Sequence, residues 1–228
     1  MTLKTIATGS TGNCYTLMAD NGEILLLDAG IPIADIKKGL DYDIANVCGC
    51  VITHSHLDHS FSANKIKNFA PVWKPYESDK ARQHTHLGCF DVECFDVPHS
   101  VPCRAFIIKA DDLTILYASD FEYLPYNLQN KNINVMLIEM NYQQSIMNKL
   151  ELDGHITHTV TGHSSDKTTT EIILQNQKHL QNVVLCHYSK SGNLRRDEAL
   201  EELKSKVPEY INTQWAIPGE VIQLGCPF

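Results

Sequence analysis

The run Thr53-His54-Ser55-His56-Leu57-Asp58-His59 constrains this chain more than any other stretch. It follows the apolar pair Val51-Ile52 and packs three imidazoles and one carboxylate into six residues. Imidazole nitrogen with carboxylate oxygen suits zinc, manganese or iron better than calcium or magnesium. His54 and His56 are two apart, so at a strand end both can point the same way. Asp58 and His59 come one tight turn later and can face a second cation from the other side. A polar loop that happens to be rich in histidine is the plain alternative. The spacing argues against it, because it satisfies a coordination geometry.

The rest of the chain must supply a scaffold for such a site. Residues 3–9 and 14–20 read as strands, and the turn Gly9-Ser10-Thr11-Gly12-Asn13 between them reads from its spacing as a plain hairpin loop. Asn21-Gly22 is a hairpin turn signal leading into a strand over 23–27, closed by Asp28-Ala29-Gly30. A helix is expected over 32–40, with Pro32 at its start, then a strand over 47–53. Helices are expected over 60–69, capped by Ser60, and over 77–85, with a short strand at 71–73 between them. Strands follow at 91–98, 103–109 and 113–119, and short apolar runs at 135–139 and 183–186 have buried-sheet character. Helices fit 168–180 and 195–206, and residues 215–224 read as a hairpin turning at Pro218-Gly219. With no internal repeat or linker, this order implies one α/β domain over residues 1–228, two sheets face to face with helices outside.

Composition narrows the setting. The chain is 43% hydrophobic, enough for a sizeable core, yet no apolar run reaches the ~18 residues of a membrane span. The amino terminus lacks the apolar core and cleavage site of a signal peptide, so the expectation is a cytoplasmic protein with its eight cysteines reduced. The net charge of −8 argues against tracking along duplex nucleic acid, which needs clustered Lys and Arg. A nuclease remains compatible, since bound cations neutralise much of a phosphate's charge.

His-x-His-x-Asp-His after a strand resembles the signature of the metallo-β-lactamase superfamily. The resemblance implies that family's αββα sandwich, a site for two divalent transition-metal ions (zinc or manganese), and Asp28 as a carboxylate supporting the site from below. Further ligands are expected at other strand ends. His99 follows Phe95-Asp96-Val97-Pro98 and would join His54 and His56 on the first metal. Asp120 ends Leu116-Tyr117-Ala118-Ser119 and would bridge both metals. His187 ends Val183-Val184-Leu185-Cys186 and would complete the second metal with Asp58 and His59. Each alone reads equally well as an ordinary polar residue, whereas together they form a metal-site signal. The chemistry then expected is a metal-activated water attacking phosphorus or a carbonyl carbon, oriented by Asp58 and Asp120. No nucleophilic serine or cysteine elbow offers another route.

Later motifs resemble the small YycJ/WalJ-type nucleases of bacteria. They are Gly9-Ser10-Thr11-Gly12-Asn13-Cys14, Val97-Pro98-His99, Ala118-Ser119-Asp120, Ile138-Glu139-Met140-Asn141, Gly162-His163-Ser164-Ser165-Asp166, and Leu185-Cys186-His187-Tyr188-Ser189 with Gly192-Asn193. That likeness implies a DNA exonuclease-like phosphodiesterase whose substrate would meet Ser165, Ser189 and Asn193. A more distant likeness to tRNase Z implies that Glu139 and His163 relay a proton to the leaving oxygen, which a poor alkoxide leaving group needs. The departures are Ser164 and Tyr188 where the nuclease motifs have leucine, Asp166 where they have asparagine, and the looser Ser191-Gly192-Asn193. They put the substrate in question and leave the ligand set whole. There is no room for a β-CASP insertion and no arm of the tRNase Z kind.

Other classes stay in play. A phosphodiesterase for small cyclic nucleotides or dinucleotides fits the acidic charge. A thioester or lactone hydrolase shares the first motif but has no expected use for Glu139 and His163. A non-catalytic binding protein would not need all seven ligands. Lys65, Lys67, Lys74 and Arg82 are candidates for one basic rim, and Lys190, Arg195 and Arg196 for another. Trp73, Tyr76 and Phe121 are candidates for base stacking, with core packing the commoner use. His84-x-His86 with Cys89 and Cys94, and Cys48-x-Cys50, have loose metal-ligand spacing, with ordinary buried thiols the commoner explanation.

Overall fold

The computed structural model describes residues 1–152, 161–189 and 194–225. The elements run β1 (Thr2–Ala7), β2 (Cys14–Met18), β3 (Ile24–Leu27), α1 (Ile33–Gly39), β4 (Val47–Val51), α2 (Leu57–Ser60), α3 (Ala63–Ile66), β5 (Val72–Trp73), β6 (Arg82–Leu87), β7 (Phe90–Val97), β8 (Cys103–Ala110) and β9 (Leu113–Ala118). They continue with β10 (Val135–Glu139), α4 (Gln144–Leu152), α5 (Asp166–Asn176), β11 (Asn182–Cys186), α6 (Arg196–Lys204), β12 (Asn212–Trp215) and β13 (Val221–Gln223). Two mixed sheets result, a six-stranded one in the order β13-β1-β2-β3-β4-β5 and a seven-stranded one in the order β12-β11-β10-β9-β8-β7-β6.

Strand alternation explains the layering. In β3, Leu25 and Leu27 join the core between the sheets, with Val51, Phe90, Val92, Phe106, Ile115, Tyr117, Leu137 and Val184. Leu26, pointing the other way, packs with Ile36 of α1 and Ile66 of α3. On the far side, Leu116, Ile138 and Leu185 pack against Ile173 of α5 and Ala199 and Leu203 of α6. Strands buried on both faces read as unbroken apolar runs. The layers are therefore helix, sheet, sheet, helix, the αββα sandwich. Among the described residues no helix is long and apolar enough to cross a membrane.

The sheets also deliver polar residues to one edge. β3 runs parallel to β4, and β9, β10 and β11 run parallel to one another. Their carboxyl ends place Asp28, Thr53, Asp120, Glu139 and His187 side by side. At three of these ends the chain turns through the left-handed region, with φ of 58° at Asp28, 56° at Asp120 and 48° at His187. A non-glycine residue held there costs about 1–3 kcal/mol. Such strain gathers where a site needs a side chain aimed in a particular direction.

Several expectations are corrected. Residues 82–87 form an edge strand where a helix over 77–85 was expected, and a 3₁₀ turn at Pro75–Glu77 precedes it. Ser60 ends α2 instead of capping a long helix, its hydroxyl donating to the carbonyls of Ser55 and His56. Residues 215–224 are not a hairpin, because β12 and β13 belong to different sheets and Pro218-Gly219 carries the chain between them. The helix α4 had no sequence counterpart among the expected elements. Turn 9–13 is more than a plain loop, since the Asn13 N–H donates to Asp58 O at 2.7 Å and the Gly30 N–H to Asn13 O at 2.9 Å.

This packing leaves no room beside Gly30, where a Cβ would lie 1.6 Å from the carbonyl oxygen of Asp58. Backbone crowds it on the side of α2, so no side-chain adjustment can relieve the clash. Gly30→Ala is expected to destabilise the fold by about 3 kcal/mol or more, read as a lowered thermal midpoint. An unchanged midpoint would show that the loop and α2 are not locked as described.

Candidate metal centre

All seven expected ligands converge. Two groups of donor atoms each lie within 4.8 Å of one another: His54, His56, His99 and Asp120, and Asp58, His59 and His187. His54 and His56 follow β4, Asp58 and His59 lie on α2, and His99, Asp120 and His187 follow β7, β9 and β11. Asp120 sits between the groups. Its Oδ2 is 3.5 Å from His54 Nε2 and 3.6 Å from His99 Nε2, and its Oδ1 is 3.4 Å from His59 Nε2.

The spacing tests whether cations fit. Ligand arms of about 2.0–2.2 Å in a tetrahedron require neighbouring donors roughly 3.3–3.6 Å apart. His99 Nε2 to His56 Nδ1 is 3.3 Å, His59 Nε2 to Asp58 Oδ2 is 3.6 Å, and His187 Nε2 to Asp58 Oδ2 is 3.6 Å. His54 Nε2 and His187 Nε2 are buried with no hydrogen-bond partner. A buried polar atom without a partner is costly, and a cation would satisfy both. The donor set and its spacing fit borderline divalent metal ions.

The remaining nitrogens are tied down behind the site. His59 Nδ1 donates to Asp28 Oδ2 at 2.7 Å, His99 Nδ1 to Gly162 O at 2.7 Å, and His187 Nδ1 to Glu139 Oε1 at 2.8 Å. His54 Nδ1 lies 3.0 Å from Thr53 Oγ1. Such partners fix the ring orientation and leave Nε2 to face a metal. Asp28 itself accepts from the Thr53 N–H at 2.8 Å, the Thr53 hydroxyl at 3.0 Å and the Tyr117 hydroxyl at 2.5 Å.

The field of the site favours positive charge. Burial works against a charged His59, yet Asp120 and Asp28 outweigh it and push its pKa up to about 10. Burial likewise opposes charge on His187, but Asp120, Asp58 and Glu139 raise its pKa. Burial would raise Asp120, and His187 and His59 instead hold it well below the usual carboxylate range. His54 and His99 go the other way, lowered chiefly by burial.

Beside the ligands lies the second pair. His163 Nδ1 donates to Glu139 Oε1 at 2.7 Å, with the imidazole 21% exposed and the carboxylate fully buried. The His163 ring stands 5.5 Å from that of His99 and is stacked 5.4 Å from that of His187. Glu139 also accepts from the N–H groups of Phe121 at 3.2 Å and Ser164 at 3.1 Å. Burial would lower the pKa of His163, but the Glu139 charge and hydrogen bond outweigh it and raise it.

The other expected site residues divide. Ser165 is buried and caps α5, its hydroxyl accepting from the Thr168 N–H at 3.1 Å, so the structure uses it for the fold and does not present it to a substrate. Ser189 is half-buried two residues past His187, its N–H donating to Asn141 O at 3.1 Å. Asn193 and Lys190 lie outside the described residues. Phe121 is fully buried and Trp73 packs on Phe106, so neither is a base platform. Arg82 lies over Tyr126, Arg196 over Tyr188, and Lys74 near Glu77, so these rim cations are already engaged. Sequence reasoning gave no role to Asn13, whose Nδ2 is 3.0 Å from His59 Nε2, or to Gly162, where a Cβ would lie 2.5 Å from His99 Nδ1. The only sequence signal for either was membership of a glycine-containing motif.

Asp28 anchors the centre through its hydrogen bonds to Thr53, His59 and Tyr117. In Asp28→Asn an amide N–H would face a donor, so a loss of about 1–3 kcal/mol is expected. Metal affinity should fall about 10–100-fold, read by elemental analysis after dialysis. Unaltered metal content and melting would remove Asp28 from this role.

Residues 7–92 match the profile of the metallo-beta-lactamase superfamily. Among solved structures, the metallo-beta-lactamase fold protein YhfI from Bacillus subtilis superposes with a TM-score of 0.75 at 16% identity, covering 97% of this chain and 98% of that one. The short form of human tRNase Z gives 0.70 at 14% identity, over 99% and 100%. A diphosphatase of the PhnP family gives 0.67 at 12% identity, over 98% and 97%. No curated protein matches the sequence significantly. The matched segment holds the His-x-His-x-Asp-His motif, and the remaining strands complete the same sandwich, so the chain has the metallo-beta-lactamase fold and is similar to that superfamily over residues 7–92.

Proposed function

We propose that this protein is a metal-dependent phosphodiesterase acting on nucleic acid or nucleotides, with DNA, degraded exonucleolytically, as the leading substrate. The observation that carries this reading is the Glu139–His163 pair, 2.7 Å apart and set beside the metal ligands. Acyl or lactone hydrolysis has no evident need for it, whereas phosphodiester cleavage needs a proton donor for a poor leaving oxygen. The likeness to tRNase Z and to a diphosphatase supports the same chemistry, and the motifs shared with YycJ/WalJ-type nucleases favour DNA.

The residues divide the work as follows. His54, His56, His99, Asp58, His59, His187 and Asp120 would hold two zinc or manganese ions. Bound there, such ions supply Lewis-acid polarisation of a phosphoryl oxygen and a water that ionises near neutrality. The Asp58 carboxylate, with its side chain 26% exposed, would orient the attacking water. Nδ1 of His163 is committed to Glu139, so Nε2 is the nitrogen that gives its proton to the leaving oxygen. Glu139 stays ionised through this step, since backbone N–H groups and two imidazoles surround it. The net charge of −8 favours chain ends or short substrates over long duplex tracts.

Loss of the proton donor is expected to lower kcat by about 10²–10⁴-fold in His163→Ala, with bound metal unchanged. The assay uses Mn²⁺- or Zn²⁺-loaded protein with end-labelled single- and double-stranded DNA, RNA, cyclic nucleotides and a lactone. Wild-type turnover of DNA that collapses in His163→Ala and in Asp58→Ala supports the proposal. Turnover of the lactone alone, or full DNA turnover in His163→Ala, refutes it.

A further inference from the structure

The β6–β7 hairpin carries another set of metal-ligating atoms, apart from the centre described above. His84 and His86 are two apart on β6, so they share a face. In the antiparallel register His86 pairs with Asp91 and His84 with Glu93, which puts Asp91 on that face too. His84 Nε2 contacts Asp91 Oδ1, and His86 Nδ1 is 3.8 Å from the same oxygen. The three donor atoms lie within 4.8 Å of one another. The two imidazoles meet edge to face, with ring centroids 4.6 Å apart.

The cysteines with nearby spacing do not belong to this set. Cys94 is buried in the core between the sheets, and the Cys89 thiol lies 3.8 Å from Asn21 Oδ1. Glu93, the fourth residue on the face, is paired with Lys131 at 2.5 Å. Two imidazole nitrogens and one carboxylate oxygen remain.

We propose that His84 Nε2, His86 Nδ1 and the Asp91 carboxylate bind one divalent transition-metal ion, with zinc the fitting class. A simple ion pair accounts for His84 and Asp91 but leaves His86 aimed at an oxygen too distant for a hydrogen bond. A cation would take the place of the direct His84–Asp91 contact, opening those two donors to roughly 3.3–3.6 Å and bringing His86 into the same set. Two nitrogens and an oxygen favour zinc over calcium or magnesium. The side chains of His84, His86 and Asp91 are 50%, 71% and 43% exposed, so water completes the coordination. The position gives the ion a task. β6 is the outer strand of the seven-stranded sheet, and an unprotected edge is prone to fraying and to pairing with other chains. A cross-strand clasp would hold β6 on β7, the strand that leads to His99.

His86→Ala tests this directly, because it removes a ligand while keeping the His84–Asp91 pair and touches nothing in the proposed catalytic centre. Metal-stripped full-length protein is dialysed against Zn²⁺ and its bound zinc counted by elemental analysis. The variant is expected to hold one equivalent fewer than wild type, and His54→Ala/His187→Ala to retain the hairpin equivalent. Zinc should also slow amide exchange over residues 82–97 in wild type and not in His86→Ala. Equal zinc content in wild type and His86→Ala, or exchange insensitive to zinc, overturns the clasp without bearing on the phosphodiesterase reading. Crystals of wild type grown with zinc give a check independent of any variant. An anomalous peak between His84, His86 and Asp91 supports the site, and its absence refutes it.

Discussion

The centre depends on one buried carboxylate. Asp28 closes β3 in the left-handed conformation, with φ of 58° and no solvent exposure. It accepts from the backbone and side chain of Thr53 after β4, from His59 on α2, and from Tyr117 on β9. Those donors come from both sheets and from the helix that carries the ligands. A buried charge is tolerable only when surrounded by donors, and here each donor positions part of the site. Thr53 in turn holds His54 Nδ1. One acid thus sets the direction of two imidazoles and pins the sheets together beneath them.

Glu139 plays the matching part on the other side. Its Oε1 accepts from both His163 and His187, while Oε2 takes backbone N–H groups from Phe121 and Ser164. A proposed metal ligand and the proposed proton donor therefore share one carboxylate oxygen. Removing that carboxylate would disturb ligation and protonation together, so its variants are less informative than those of His163. The backbone of Glu139 is used too, its carbonyl accepting from the hydroxyls of Ser164 and Thr169. The Glu139–His163 pair is therefore tied to the start of α5 as well as to β10.

The centre was legible because its residues follow apolar runs. His54, His99, Asp120 and His187 each come directly after a buried strand, where hydrophobicity marks the strand and polarity marks its end. What lay beneath was less legible. Nothing in the sequence says that Asp120 and His187 adopt positive φ, or that Gly30 must lack a side chain because Asp58 O lies against it. Those facts arise from chain segments far apart in sequence. β6 was missed for a related reason. Arg82-Gln83-His84-Thr85-His86 has no strong apolar alternation, and the strand exists because β7 supplies its hydrogen-bonding partner. Pro218-Gly219 reads as a hairpin locally, yet β1 and β11 capture the flanking strands into opposite sheets.

Three of the departures from the nuclease motifs, Ser164, Asp166 and Tyr188, have a use in the fold, while Ser191-Gly192-Asn193 lies outside the described residues. Ser164 replaces an aliphatic side chain and bonds to the Glu139 and Thr169 positions. Asp166 accepts from the N–H groups of Gln144 and Lys167, which directs its charge to helix starts. Tyr188 lies under the Arg196 guanidinium, 4.1 Å from it, and beside Trp215. None of these changes reaches a donor atom of the metal set. They lie close in sequence to His163 and His187 and join those positions to α5, α6 and β12. The ligand layer is constrained by coordination spacing and by Asp28 and Glu139, while the layer outside it is free to change partners as long as those two carboxylates keep their donors.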